Sequence, residues 1–371
     1  MFFIIYLIQL NISKIQDNFH VFFRSEELLD IFQRSRGQAR FCNLVGPTGW
    51  TGMITSINWR DLWRYGINPP PTDETQVPAL LRQAVGCDFS FELLNGAHWV
   101  CRELVAEAYG SGRAFIAGDA AHQNTPAGGF GMNTGMGDAV DLAWKLWGTL
   151  NAWGGMELLA SYQAERQPVA QRNAQQATKN WGNFRLKVGN AIDKDTPEAA
   201  EQRAACKQAL LNADVIRQYE TDGIALGYRY DPSTIVISDR TNAPSDDSRE
   251  YVPTSRPGHR APHAWVDDAQ GSRVRRRSTL DLFGEGFTLL SFGAEAADLE
   301  ALMSAAHFRG VPITHTAIDD RRIADLYERK LVIVRPDGHV AWRGDKPPRE
   351  ASAIIDSMRG AAVDRHAPER G

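Results

Sequence analysis

Hydrophobic and polar positions change rhythm several times along the chain, and each rhythm implies a different element. From Ala39 to Trp63, apolar and β-branched residues recur between Gly46, Pro47, Gly49 and Gly52, the mark of strands joined by tight turns and hence of an antiparallel sheet. Pro69-Pro70-Pro71 breaks that pattern. Val77 to Val85 then has the spacing of a short helix, and the region around Phe89 to Leu94 reads as another strand. Arg113 to Ala117 is a short apolar strand ending in Gly118-Asp119. It leads through the glycine-rich stretch Pro126 to Gly131 into a helical pattern from about Asn133 to Leu150. A second helical pattern, Leu158 to Lys187, is rich in Gln, Glu and Arg, and Pro168 is expected to kink or split it.

Between Asp193 and Glu250 the chain turns polar, first with helix formers and then with the loop-like Asn242 to Arg249, which predicts a domain boundary near Tyr251. Beyond it, Thr288 to Phe292 (strand), Ala294 to Ala306 (helix) and Ile313 to Ile318 (strand) alternate. Leu331 to Val334 and Val340 to Trp342 then form a hairpin around Asp337-Gly338, so a small α/β domain is expected. No internal repeat or low-complexity segment is evident in the sequence.

Charge narrows the function classes. The 41 Lys and Arg nearly balance the 45 Asp and Glu, and a net charge of -4 gives no global field favouring nucleic acid or an anionic membrane. The basic cluster Arg273, Arg275, Arg276 and Arg277 is flanked by Asp267, Asp268 and Asp281 and reads as a solvated loop. Cys42, Cys87, Cys101 and Cys206 have neither metal-ligand nor Cys-x-x-Cys spacing, so no metal site is expected and a reducing cytoplasm fits best. The apolar opening Met1 to Leu10 falls short of the roughly 20 residues that span a bilayer, and no basic residue precedes Lys14 to make a secretory n-region. It reads as a buried strand or an aberrant start, and membrane attachment is not expected.

The candidate chemistry lies between residues 112 and 150. Asp119 stands just past the carboxyl end of its strand, where open α/β sheets bind ligands, and its carboxylate can accept hydrogen bonds from sugar-alcohol hydroxyls while Gly118 permits close approach. On its own this would be an ordinary strand-end Asp. Within a few residues, however, Pro126-Ala127-Gly128-Gly129-Phe130-Gly131-Met132-Asn133 opens a helix whose free N–H groups and positive dipole end favour negative charge on a ring laid against them. Trp50, Trp59, Trp63 and Trp99 are candidates for an aromatic pocket, although tryptophans among strands are more often core.

GRAFIAGDAAH, PAGGFGMNTGMGDAVDLAWKL and SYQAERQPVA together resemble the flavin-binding signature of single-component FAD-dependent aromatic-ring monooxygenases of the phenol hydroxylase and 3-(3-hydroxyphenyl)propionate hydroxylase types. YVPTSRPGHRAPHAW, STLDLFGEGFTLL and VRPDGHVAWR resemble that branch's C-terminal thioredoxin-like domain. The resemblance covers roughly residues 40 to 360. It implies an α/β (α+β) protein: a remnant of the FAD/NAD(P)-binding hydroxylase fold with an antiparallel substrate-domain sheet, plus the thioredoxin-like domain. The implied division is an atypical segment over 1–38, part of the substrate domain over 39–100, the second FAD-binding segment and its helices over 101–192, helix and linker over 193–250, and the C-terminal domain over 251–371.

The same resemblance implies FAD as cofactor, NAD(P)H as electron donor, O2 and a small phenolic substrate. Oxygen would add at the flavin C4a, and the hydroperoxide would hydroxylate the ring. Asp119 would hydrogen-bond the ribitol beside Gly118, and Gly128, Gly129, Phe130, Gly131, Met132 and Asn133 would follow the pyrimidine edge. Pro126 would lie near the flavin face where oxygen reacts, and His122 would be cofactor-proximal. No catalytic residue is assigned, and a homo-oligomer is among the expected partners. The family's opening strand, G-x-G-x-x-G turn and helix have no counterpart in this sequence, nor does its Asp-Gly dinucleotide motif. The chain is therefore expected to be a truncated or mis-started member. The competing expectation is a catalytically incomplete remnant serving as a binding or oligomerisation module.

Overall fold

The computed structural model describes residues 13–361 except 38, 184–187, 212–215, 271, 272 and 348. The apolar opening and the last residues of the second helical pattern lie outside the described residues.

Strand β1 (Ser13–Arg24) and helix α1 (Leu28–Arg36) are followed by β2 (Phe41–Gly46), β3 (Gly49–Ser56), β4 (Leu62–Ile67), α2 (Val77–Val85) and β5 (Glu92–Val105). These strands form an antiparallel sheet in the order β2-β3-β4-β1-β5, extended by the two-residue β8 (His122–Gln123). Ser13–Arg24, expected in an atypical N-terminal segment, is thus a central strand. Its signal is the period-two alternation of Phe19, Val21 and Phe23, which places all three on one face.

The two faces of this sheet differ in character. Phe19, Val21, Phe23, Leu44, Ile54, Trp63, Tyr65 and Ile67 form a buried cluster with Leu28 and Phe32 of α1 and Val77, Leu81 and Val85 of α2. The alternate residues, among them Asn18, His20, Asn43, Thr55 and Arg64, line a cavity on the other side. At about 25 cal/mol per Å² of apolar surface, the first face supplies the stabilisation and leaves the second free to carry polar groups.

The cofactor-like segment differs from its expected setting. Among the described residues, Ala114–Phe115 (β7) pairs only with Gly110–Ser111 (β6) in a two-residue antiparallel ladder, and residues 114–117 are half-buried rather than part of a buried parallel sheet. Helix α3 (Phe130–Leu150) then packs against α4 (Met156–Asn183), which runs through Pro168 without splitting. Its buried side, including Tyr162, Glu165, Arg166, Val169 and Ala170, holds the helix together around the proline.

The linker contains α5 (Pro197–Leu210) and α6 (Asp222–Leu226). Trp265–Gln270 (β9) and Arg273–Ser278 (β10) form a two-stranded antiparallel ribbon where a solvated loop was expected. The cross-strand register sets Asp267 opposite Arg276, and that pairing of opposite charges lets a charged run form a strand. The C-terminal unit places β11 (Phe287–Ser291), α7 (Ala296–Phe308), β12 (Ile313–Ala317), α8 (Arg321–Tyr327), β13 (Leu331–Val334), β14 (Val340–Gly344) and α9 (Ala351–Met358) in a four-stranded sheet of order β12-β11-β13-β14. Only β11 and β12 are parallel, and β13 with β14 forms the expected hairpin. Phe287, Leu289, Leu331 and Ile333 on one face share a core with Trp144 of α3 and Leu158 of α4, so the C-terminal sheet is packed directly against the helix pair.

Candidate functional site

Glycines draw the short strand and α3 together. A Cβ on Gly135 would lie 3.0 Å from the Gly118 Cα, so the two backbones approach as only paired glycines allow. This sets Asp119 beside the first turns of α3. Its side chain is exposed and has no hydrogen-bond or ion-pair partner among the described residues.

Gly128 (φ 96°) and Gly129 (φ 69°) hold the preceding loop in left-handed backbone, and Gly129 caps the 21-residue α3 without a side-chain hydrogen bond. The loop is pinned from below by Phe130, buried against Ala177 and Ile224, and by the Thr134 hydroxyl donating to the Phe130 carbonyl at 2.8 Å. Gly131 faces open space, Met132 and Asn133 are exposed, and Pro126 is exposed at the loop's start. The buried Asn124 amide and Thr125 hydroxyl just before Pro126 have no partner among the described residues. Unpaired buried groups are rare, and together with an uncapped helix start they form a ready-made set of polar contacts for a ligand.

His122 is fully buried and its Nε2 lies 2.7 Å from Asp138 Oδ2, so it supports the loop from behind. Asp138 also accepts from the Gly118 N–H at 3.1 Å and from Arg166 Nε at 2.8 Å. Burial pushes the Asp138 carboxyl up, but the His122 and Arg166 hydrogen bonds and the Arg166 charge outweigh that and hold it below its ordinary range. Arg166 in turn donates to the Thr134 carbonyl and the Tyr230 hydroxyl, both at 3.1 Å. One buried carboxylate therefore ties the end of the short strand, the helix α3 and the helix α4 into a single support.

The loop also walls a cavity of about 740 Å³ on the polar face of the first sheet. Pro126 to Gly129 form one side; Phe41, Trp50, Trp99, Trp181 and Tyr219 supply aromatic surface. Trp50 meets Trp181 edge to face, and Phe41 stacks on Tyr219. Of the four tryptophans considered from sequence, Trp50 and Trp99 line this space, whereas Trp63 is core and Trp59 lies at an exposed turn. Gln16 donates to Asn68 at 2.7 Å and accepts from Trp181 Nε1 at 3.3 Å, which fixes the polar rim. Burial and then the nearby Arg64 charge lower the His20 pKa to about 4, so the ring is neutral at pH 7.

Gln16 and His20 of β1, Arg64 of β4 and Trp181 of α4 form no contiguous motif, because they come from three elements far apart in the chain. The available signal was the polar set alternating with buried residues along β1 and β4. Asp138 and Arg166 lie inside quoted family motifs, yet nothing in spacing identifies them as partners.

Residues 32–177 match the family described as FAD binding domain, and residues 254–362 match that described as aromatic-ring hydroxylase, C-terminal. The chain is 32% identical to the FAD-dependent monooxygenase apdD of Emericella nidulans over 92% of this chain and 58% of that protein. It is also 32% identical to a 2,4-dichlorophenol 6-monooxygenase of Delftia acidovorans, over 81% of this chain and 56% of that protein. A solved structure of the rebeccamycin biosynthetic enzyme RebC with reduced flavin superimposes with a TM-score of 0.85 at 36% identity, covering 96% of this chain and 66% of that one. The chain thus spans a little over half the length of the curated relatives it matches.

Proposed function

This chain belongs to the FAD-dependent aromatic-ring monooxygenases, and on that premise we propose that it binds FAD and hydroxylates a phenolic substrate with NAD(P)H and O2. The observation that carries the reading is a shared wall: the glycine loop Pro126 to Gly129, offered as the cofactor cradle, is also one side of the aromatic-lined cavity.

The residues present fit an FAD. The unpaired Asp119 carboxylate would accept from ribitol hydroxyls, and the uncapped N–H groups around Gly131 to Asn133 would meet the electron-rich pyrimidine edge beside Gly128, Gly129 and Phe130. The chemistry such a cofactor supplies is reduction by NAD(P)H followed by activation of O2. The chain's own contributions are placement and field. The positive end of α3 stabilises negative charge at the loop, and the Asp138 support holds the loop in shape. Trp50, Trp99 and Trp181 confine a planar ring on the far side of Pro126 and displace water from around it.

The test is the visible spectrum of the purified chain with added FAD, followed by NAD(P)H oxidation in the presence of simple phenols. Bound-flavin peaks with phenol-stimulated oxidation are expected. A protein that leaves FAD free would overturn the reading.

A second reading is favoured by one feature. Met132, Met136, Val140, Trp147 and Leu150 form an exposed apolar stripe along α3, a face suited to covering by another protein surface. On that reading the chain acts as a folded binding or oligomerisation module, and a colourless oligomer would support it. Cytoplasmic location is proposed from the four free cysteines. Among the described residues no helix is long and apolar enough to cross a membrane.

A further inference from the structure

Arg64 is a cation without a counterion. It projects from β4 into the cavity, half-buried, and has neither an ion-pair nor a hydrogen-bond partner among the described residues. Its Nε is shielded from solvent and unpaired. Among the described residues, no Asp or Glu lines the cavity. Its lining histidine, His20, sits on the adjacent strand with its ring over Gly66, so it adds no charge of either sign at neutral pH. Two neighbouring polar contacts are already made: Trp50 Nε1 donates to Asn43, and Asn68 donates to the Trp50 carbonyl. Thr55 Oγ1 and Trp99 Nε1 are buried and unpaired in the same cavity, as Arg64 Nε is.

A partly desolvated guanidinium with a free edge is costly unless something pairs with it, and planar carboxylate is the group whose geometry it matches with two parallel hydrogen bonds. A phenol hydroxyl does not meet that need, because with a pKa near 10 it is neutral at pH 7. The cavity, about 740 Å³ including the space against Pro126 to Gly129 where the flavin is proposed to lie, is within the roughly 300–1,000 Å³ of sites that enclose drug-sized ligands. We propose that Arg64 is a specificity-determining residue that selects a fused or multi-ring hydroxyaromatic substrate bearing a carboxylate, with the carboxylate paired to the guanidinium. This rests on the hydroxylase reading for the word substrate, but the binding preference itself does not depend on flavin chemistry.

Isothermal titration calorimetry on the full chain at pH 7 tests it, with 6-hydroxy-2-naphthoate against its neutral counterpart 6-(hydroxymethyl)-2-naphthol. The acid is expected to bind at least about tenfold more tightly, the size of effect a charged hydrogen-bonded pair gives. Arg64→Met should reduce that preference to less than about twofold, and Arg64→Lys, which keeps the charge but not the paired donors, should give an intermediate value. Equal affinities, no detectable binding of the acid, or a preference that survives in Arg64→Met would overturn the proposal. Should Arg64→Met not fold, the 15N resonance of Arg64 Nε in the wild-type chain decides: a shift on adding the acid but not the alcohol supports the pairing, and equal responses refute it. An acid that binds as described but is never hydroxylated by the flavin-loaded protein would count against the hydroxylase reading alone.

Discussion

Arg335 donates to both carboxylate oxygens of Glu165, at 2.7 and 2.8 Å, across 170 residues of sequence. The same guanidinium reaches Asp141 at 2.9 Å and also pairs with Asp337, while Lys145 bridges Asp141 and Glu165 at 2.7 and 2.6 Å. All of these side chains are essentially excluded from solvent. The β13–β14 hairpin therefore supplies a charge that α3 and α4 need in order to stay packed. The C-terminal unit is bound to the helices behind the glycine loop by ionic as well as apolar contacts.

Removing that cation leaves buried carboxylates uncompensated. Arg335→Met is expected to cost about 3–5 kcal/mol, the usual penalty for breaking a buried pair from one side. The double variant Arg335→Met with Glu165→Gln should recover part of the loss. Urea unfolding followed by circular dichroism measures both, and a single variant as stable as wild type would contradict the arrangement.

Three carboxylates here share two cations, Lys145 and Arg335, and Asp141 is the one that takes up a proton most readily. Burial raises its pKa to about 7, with Glu165 adding to the rise and Lys145 and Arg335 opposing it. A carboxyl whose folded pKa lies above its unfolded value contributes stability below the unfolded value and loses it as pH rises through the folded one. Compared with Asp141→Asn, the wild type should lose stability between about pH 4 and pH 7, and the difference should level off above that. Thermal melts of both proteins across pH 5 to 9 test this; a difference independent of pH would refute it.

His20 should remain neutral from pH 8 down to about 5, because burial and then Arg64 depress its pKa to about 4. Histidine NMR titration reports this directly, and Arg64→Met should move the midpoint upward. A midpoint near 6.5 in the wild type would show that the ring is not held in the desolvated position.

Two glycines in one loop should respond oppositely. Gly128→Ala forces a Cβ onto left-handed backbone and to within 2.5 Å of the Phe130 ring, so a loss of at least about 1–2 kcal/mol is expected. At Gly131, inside the first turn of α3, a methyl group meets nothing within 4 Å, and alanine should stabilise the helix by up to about 1 kcal/mol. That same methyl group would stand where the cofactor is proposed to lie, so Gly131→Ala should bind FAD at least about tenfold more weakly while melting no lower. Unchanged FAD affinity in this variant would move the cofactor away from Gly131.

Local pattern by itself determined some of the elements. Helix α2 and the β13–β14 hairpin around Asp337-Gly338 follow from periodicity and turn chemistry, because both are decided by neighbours a few residues apart. The glycine loop opening α3 was legible for the same reason: left-handed backbone at Gly128 and Gly129 is a property of the residue type. Tertiary structure alone decided which distant groups meet. The alternation at Phe19, Val21 and Phe23 marks a strand but does not say that it lies between β4 and β5. Similarly, Arg64 is one arginine in a strand until the fold seals its Nε into a cavity lined by no acidic residue among those described. Asp138 becomes the support of the loop only when α4 delivers Arg166, and Glu165 finds Arg335 only when the C-terminal sheet packs on the helices. Burial and charge pairing depend on the summed packing of segments far apart in sequence, and no local window contains that sum.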